Sequence, residues 1–195
     1  MSYVLGLTGS IGMGKSTTAG MFRDEGVPVW DADACVHALY APGGAAVDAV
    51  GRLVPEAVVA GAVDRGRLRA ALERDPGLFP ALEAVVHPLA AEDRARFLAA
   101  SDSLVVVLDV PLLYERGIDA ECDGVAVVSA SEATQMRRLL ARPGMDAEAV
   151  ALLLGRQMPD GEKQARATWV IPTETLEGAR AAVRDILAEI REGRG

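Results

Sequence analysis

Gly9-Ser10-Ile11-Gly12-Met13-Gly14-Lys15-Ser16 fits G-x-x-x-x-G-K-[ST] without a mismatch, and its reading decides the fold. The apolar run Tyr3–Thr8 precedes it as a strand candidate. A helical segment, Lys15–Glu25, follows and is stopped by Gly26. The residue types suit one task. Glycines let the backbone curl so that successive N–H groups turn inward on phosphate oxygens. The helix N-terminus adds unpaired donors and a favourable dipole. Lys15 brings a point charge to β- and γ-phosphates, Ser16 a hydroxyl for Mg²⁺, and Thr17 a contact near the α-phosphate. A turn that only caps a helix has no need of Lys-Ser after its last glycine. Gly9, Gly12, Met13, Gly14, Lys15, Ser16 and Thr17 are therefore the expected nucleotide-phosphate site, a P-loop.

Outward from this stretch, short apolar runs alternate with helical patterns. Val27–Trp30, Leu104–Asp109, Gly124–Val128 and Trp169–Ile171 are further strand candidates. Leu104–Leu108 is apolar throughout, as expected of a strand covered on both faces. Pro28 predicts a sheet edge for the second strand, since proline donates nothing to a ladder. Leu176, Ala179, Val183, Ile186 and Ile190 fall at spacings of three and four, one face of a C-terminal helix. This alternation predicts an α/β fold, a parallel sheet flanked by helices. The interval Ala34–Ser103 shows helical stripes, with turns at Pro42-Gly43-Gly44 and Asp75-Pro76-Gly77, and no strand. It reads as a helical insertion, so 1–195 is one domain: core 1–33, 104–130 and 167–195, insertion 34–103, and a lid over about 131–166. Arg194-Gly195 reads as a frayed end.

Composition narrows the function classes. The 195 residues are 50% apolar with a formal net charge of −8, which argues against a broad nucleic-acid-binding face. Arginines number eighteen and lysines two, so the position of Lys15 in the loop is informative. The N-terminus lacks the charged and long apolar regions of a signal peptide, and no apolar run suggests a membrane span. Cys35 and Cys122 form no metal or redox motif and read as buried thiols in a reducing, cytoplasmic setting. The chain contains no asparagine, so the Asn-Lys-x-Asp guanine motif of a GTPase switch is absent. No feature fixes the oligomeric state; a monomer is the expectation.

Carboxylates stand where strands end. Asp31-Ala32-Asp33 follows the second strand, and ligands of open α/β sheets bind beyond C-terminal strand ends. Either carboxylate meets a Mg²⁺ shell or an acceptor hydroxyl there, or else one of them N-caps the helix starting near Ala34. Asp109, at the end of its apolar run, is either a Walker-B-like metal group or a strand-terminal turn residue. Arg137, Arg138 and Arg142 cluster after the fourth strand, followed by Arg156, Lys163 and Arg166. The 138-to-142 spacing predicts two guanidinium groups on one helix face, and Pro143-Gly144 reads as a hinge. The alternative is a solvated basic face. His37 and His87 are too isolated for a metal site, and His87-Pro88 opens a helical pattern.

These landmarks, in this order, resemble the dephospho-coenzyme A kinase family over nearly the whole chain. The resemblance rests on Leu7–Ser16, Asp31-Ala32-Asp33, Glu83 to His87-Pro88, Asp109-Val110-Pro111-Leu112-Leu113-Tyr114-Glu115, and Arg156-Gln157-Met158 with Lys163. It implies transfer of the γ-phosphoryl group of ATP to the ribose 3′-hydroxyl of dephospho-CoA, with Mg²⁺, on a P-loop NTPase core with a helical acceptor-binding region and a mobile lid. Under it, Asp33 is the candidate base, Arg142 the lid arginine, and Asp109 a metal group with Ser16. Asp31, His87, Leu112, Leu113, Glu115 and Arg138 then serve the substrate. Two departures stand out. The family usually has Ala-Asp before its last strand, where this chain has Ala167-Thr168. It commonly has Asp after that strand, where this chain has Ile171-Pro172-Thr173. Two rival readings stay open: another P-loop small-molecule kinase, of nucleoside monophosphate or shikimate type, and a non-catalytic nucleotide-binding module.

Overall fold

A computed structural model of the chain describes residues 2–155 and 157–193. The expectations for Arg156 and for Arg194-Gly195 lie outside the described residues. The chain divides into two compact units, one of Met1–Trp30 with Ser101–Gly195, the other of Asp31–Ala100.

The first unit is built on a parallel sheet. Its strands are β1 (Tyr3–Thr8), β2 (Val29–Asp31, whose last residue opens the second unit), then β5 (Val105–Asp109), β6 (Gly124–Ser129) and β7 (Trp169–Pro172). Two short strands of the second unit, β3 (Val58–Val59) and β4 (Ala62–Val63), intervene in the numbering. The sheet order is β2-β5-β1-β6-β7, so β1 is central and β2 lies at the edge that Pro28 predicts. Tyr3 pairs with Val105 and Leu5 with Gly124, so β1 runs parallel to both neighbours; Ala126 pairs with Trp169 in the same sense.

Period-two alternation sends Leu5, Leu7, Val105, Val107, Ala126 and Val128 to one face of the sheet. There they meet α1 (Lys15–Asp24) through Ala19, Met21 and Phe22, and α9 (Leu176–Glu192) through Ala179, Val183, Ile186, Leu187 and Ile190. Each of the larger of these side chains contributes about 1.5–3 kcal/mol by leaving water. The other face is also closed: Val106, Leu108 and Val127 are fully buried. That is why these strands read as apolar runs. Leu176 departs from its expected place in the stripe: as the first residue of α9 it is 66% exposed. Between β6 and β7 lie α6 (Glu132–Leu140), α7 (Ala147–Leu154) and α8 (Asp160–Arg166).

The second unit is helical apart from the β3–β4 hairpin, a strand pair that the sequence pattern does not announce. It holds α2 (Ala32–Tyr40), α3 (Val47–Leu53), α4 (Arg65–Arg74) and α5 (Leu78–Ala100). Helices α2 and α3 both pack on α5, over Leu39, Val47, Val50 and Val86. Helix α5 continues through Pro88, so His87-Pro88 sits inside a helix and does not open one. Burial pushes the Cys35 thiol up to about 12, which leaves it inert. Cys122, expected to be buried, is only partly so.

Candidate active site

The loop at Gly9–Gly14 leaves the tip of the central strand, and its glycines answer two different demands. At Gly9 the demand is close approach. A Cβ there would lie 2.3 Å from Val128 Cγ2 and 2.8 Å from the Val128 carbonyl oxygen, so the loop departs hard against β6. At Gly14 the demand is conformational: its φ is 90°, and it N-caps α1 without a side-chain cap. Helices α2, α4, α6, α7 and α9 are capped by Asp31, Asp64, Ser131, Asp146 and Thr175. Helix α1 is left open. Its first ladder bond runs from Thr18 N–H to Gly14 O at 3.1 Å, so the N–H groups of Lys15, Ser16 and Thr17 precede the ladder and are left to partners outside the helix.

Lys15 Nζ lies 2.5 Å from Asp109 Oδ1, with the lysine side chain 13% and the aspartate 2% exposed. The structure thus unites two residues ninety-four positions apart, Lys15 at the start of α1 and Asp109 at the end of β5. Asp109 serves a charge and not merely a turn. Among the described residues no group of three or more His, Cys, Asp or Glu could hold a metal. Mg²⁺ needs no such cage, because it keeps water and phosphate oxygens and takes one or two protein oxygens. The Asp109 carboxylate and the exposed Ser16 hydroxyl fit that demand.

The segment after β5 is held by the chain's other lysine. Lys163, fully buried on α8, lies 2.9 Å from Glu115 Oε1 and donates to the Pro111 carbonyl at 3.3 Å. Glu115 also accepts from Met158 N–H at 2.9 Å, and Thr8 Oγ1 donates to the same Pro111 carbonyl at 3.1 Å. Burial pushes the Glu115 carboxyl up, but the hydrogen bonds from Lys163 and Met158 and the lysine charge outweigh it, leaving it below the ordinary value. Glu115, expected at the substrate, has its carboxylate engaged by Lys163 and by Met158 N–H. Leu113 is fully buried and packs beside Gly6, while Leu112 stays partly exposed.

A prediction follows from this pair. Lys163→Met should cost about 1.5–3 kcal/mol by leaving a hydrogen-bonded carboxylate without its cation, an apparent melting shift of about 3–12 °C for a chain of this size. A carboxyl held low in the folded state stabilises above its unfolded value and loses that contribution as pH falls through its folded one. The gap between wild type and variant should therefore narrow from pH 7 toward pH 4. Thermal melts across that range check it; a pH-independent gap would refute the pairing.

Arg138 and Arg142 part company in the structure. Helix α6 ends at Leu140, so Arg142 lies beyond it in the turn before Pro143-Gly144, exposed, with its N–H on the Leu139 carbonyl at 3.0 Å. The two do not share a helix face. Arg138 donates to the Thr173 carbonyl at 2.5 Å, to Thr173 Oγ1 at 3.3 Å and to the Gly12 carbonyl at 3.4 Å. Both arginines line a cavity of about 340 Å³ with Gly12, Gly14, Thr17 and Leu176. Behind it Glu174 accepts from Ser131 N–H and from Thr134 Oγ1, and these bonds hold its carboxyl down to about 2.

In the second unit, Asp31 Oδ1 accepts from the N–H groups of Asp33 and Ala34, at 2.9 and 3.0 Å. Of the two readings for this pair, Asp31 is the cap. Asp33 stands exposed in the first turn of α2. His87 Nε2 lies 3.6 Å from Glu83 Oε1, both side chains well exposed.

Three side chains at the loop carry no role in the sequence reading. Gln157 Oε1 accepts from Ile11 N–H at 2.9 Å, Gln135 Nε2 donates to Ile11 O at 2.8 Å, and Thr173 Oγ1 donates to Met13 O at 2.7 Å. Gln157 stands in the Arg156-Gln157-Met158 landmark, which gives it no role; Gln135 and Thr173 carry no outward signal of one. Thr168, where the family usually has Asp, accepts Val125 N–H through Oγ1 at 3.1 Å and extends the β6–β7 ladder. A carboxylate would accept the same bond.

Sheet order, central loop and the Lys15–Asp109 pair place the chain among the P-loop kinases. A Campylobacter jejuni dephospho-CoA kinase shares the fold over all of both chains, with a TM-score of 0.73 at 20% identity. A Thermus thermophilus protein, TT1252, aligns at a TM-score of 0.84 and 36% identity, covering 96% of this chain and 97% of its own. The dephospho-CoA kinase of Cereibacter sphaeroides is 57% identical over 188 residues, 96% of this chain and 95% of the relative. The family model described as dephospho-CoA kinase matches residues 3–177. The chain belongs to the dephospho-CoA kinase family. It is an enzyme, an ATP-dependent kinase of coenzyme A biosynthesis. No helix among the described residues is long and apolar enough to cross a membrane.

Proposed function

We propose that this chain transfers the γ-phosphoryl group of ATP to the ribose 3′-hydroxyl of dephospho-CoA, with the P-loop as its phosphate site. The observation that carries the assignment is the open N-terminus of α1, with Lys15 resting on Asp109 beside it. The donors Lys15, Ser16 and Thr17 N–H receive phosphate oxygens, and the Lys15 ammonium moves from Asp109 onto the β- and γ-phosphates. Ser16 and Asp109 would hold Mg²⁺, which when bound neutralises charge between those phosphates. Asp33 orients the acceptor hydroxyl and takes its proton; Asp31, as the helix cap, keeps Asp33 in place. Arg142, on a turn with a glycine at φ 74°, closes over the transferring group once both substrates are bound.

The test is release of ADP by the purified chain with ATP-Mg²⁺ and dephospho-CoA, with AMP, shikimate and gluconate as alternative acceptors. Dephospho-CoA alone should support turnover; equal turnover on another acceptor would reassign the substrate.

Arg142→Ala should slow single-turnover phosphoryl transfer by about a hundredfold, the scale of one transition-state contact in a dry site. ATP affinity should fall only modestly, because the free arginine is solvated. Lysine should rescue in part, lacking the planar fork that grips two phosphate oxygens. A wild-type chemical rate in Arg142→Ala would return the residue to the solvated surface.

A further inference from the structure

The loop has little rigidity of its own. Gly12 and Gly14 sit at φ 84° and 90°, and glycine gives up these angles readily. A phosphate site needs the opposite, N–H groups that already point at the ligand. We propose that Gln135 and Gln157 form a clasp on the Ile11 peptide groups, positioning residues that aim the loop's N–H groups at phosphate and tie both ends of the Arg142 segment to them. The proposal rests on the assignment of the loop as the nucleotide-phosphate site.

The geometry leaves no freedom in how the two amides are turned. A backbone N–H only donates and a carbonyl only accepts, so Gln157 presents its oxygen to Ile11 N–H and Gln135 its nitrogen to Ile11 O. The carbonyl of Ile11 and the N–H of Gly12 belong to one planar trans peptide and point in opposite directions. Holding the Ile11 oxygen against α6 therefore turns Gly12 N–H the other way. Thr173 does the same two residues on, its hydroxyl holding Met13 O and so directing Gly14 N–H. The Gln135 side chain is 6% exposed, and a Cβ at Gly12 would come within 3.3 Å of its Cγ, so the amide is packed against the loop. Gln135 lies near the start of α6, the helix that leads into the turn carrying Arg142; Gln157 lies just past the end of α7. One P-loop residue thus anchors the segment from both sides.

The clasp is tested by calorimetric titration of ADP into the full chain and its variants Gln135→Leu, Gln157→Leu, the double variant, Gln135→Glu and Lys15→Met. Each leucine variant should weaken ADP binding about tenfold, as expected when a hydrogen bond is lost and its backbone partner left unmet. The double variant should be about as weak as the weaker single, not a hundredfold weaker, because both amides restrain one residue. Gln135→Glu supplies a readout that packing alone would not move. At pH 8 its carboxylate faces the Ile11 carbonyl and should bind ADP poorly. At pH 5.5 its protonated fraction can donate again, so its deficit relative to wild type at the same pH should shrink.

If Gln157→Leu and Gln135→Glu bind ADP within about twofold of wild type at both pH values while Lys15→Met does not, the clasp is overturned and the phosphate site stands. Multiplicative losses in the double variant would also overturn it. If Lys15→Met itself leaves ADP affinity unchanged, the phosphate-site assignment falls and takes the clasp with it. Should Gln135→Leu fail to fold, Gln157→Leu and Gln135→Glu decide the matter by the same criteria.

Discussion

Lys15→Met is expected to lower turnover by a hundred- to a thousandfold, the usual cost of one contact made to charge in the transition state. The structure adds a second effect in the same protein. Asp109 is 2% exposed and faces the ammonium at 2.5 Å, so the methionine variant buries a carboxylate without that cation. Breaking such a pair costs about 3 kcal/mol. Nucleotide-free Lys15→Met should therefore melt below wild type. The double variant Lys15→Met with Asp109→Asn separates the two effects: the amide tolerates burial, so stability should return while turnover stays low. Steady-state rates and thermal melts of the three proteins suffice. A folded Lys15→Met enzyme turning over near the wild-type rate would end the P-loop assignment.

Asp33→Asn is expected to lower turnover by about a hundred- to ten-thousandfold, the range for a positioned base, and to leave ATP affinity nearly untouched. The division of labour at the start of α2 makes the outcome readable. Asp31 takes both capping N–H groups, so the Asp33 carboxylate is free of that duty and its loss should cost about 0.5 kcal/mol through the helix dipole. Asp31→Ala is the control: it removes the cap and should cost about 1 kcal/mol of stability. Because phosphoryl transfer passes through a loose transition state, orientation of the hydroxyl counts for more than removal of its proton. A variant with normal turnover would remove Asp33 from the chemistry.

What could be read from residues alone follows a physical divide. The P-loop is legible because its chemistry requires particular residue types at fixed spacing. The strands are legible because a sheet buried on both faces must be apolar throughout, and Pro28 marks its edge. The loop's supports are not legible. Gln135 and Gln157 act on a residue more than a hundred positions away, and no local period announces such a bond. The i, i+4 reading of Arg138 and Arg142 assumes that α6 continues, but the residue before a proline is pushed out of the helical region, and the helix has already closed at Leu140. The β3–β4 hairpin escapes notice because its turn is Ala60-Gly61, with the alanine at φ 50°, in place of the Asn-Gly that marks such turns. Pro88 misleads in the opposite direction: tertiary packing carries α5 through it. Glu115 looks like a site carboxylate by motif, and only the position of Lys163 shows where its charge goes.

The scarcity of lysine gives the site a chemical address. Of the chain's two ε-amino groups, one is wholly enclosed beside Glu115 and the other, 13% exposed, lies in the phosphate loop. For an amine-directed label, the folded protein thus offers a single lysine, and nucleotide occupying the loop shields that one. Covalent footprinting with and without ATP then reports occupancy of the phosphate site at one residue in the unaltered chain, a readout that a lysine-rich relative would spread over many.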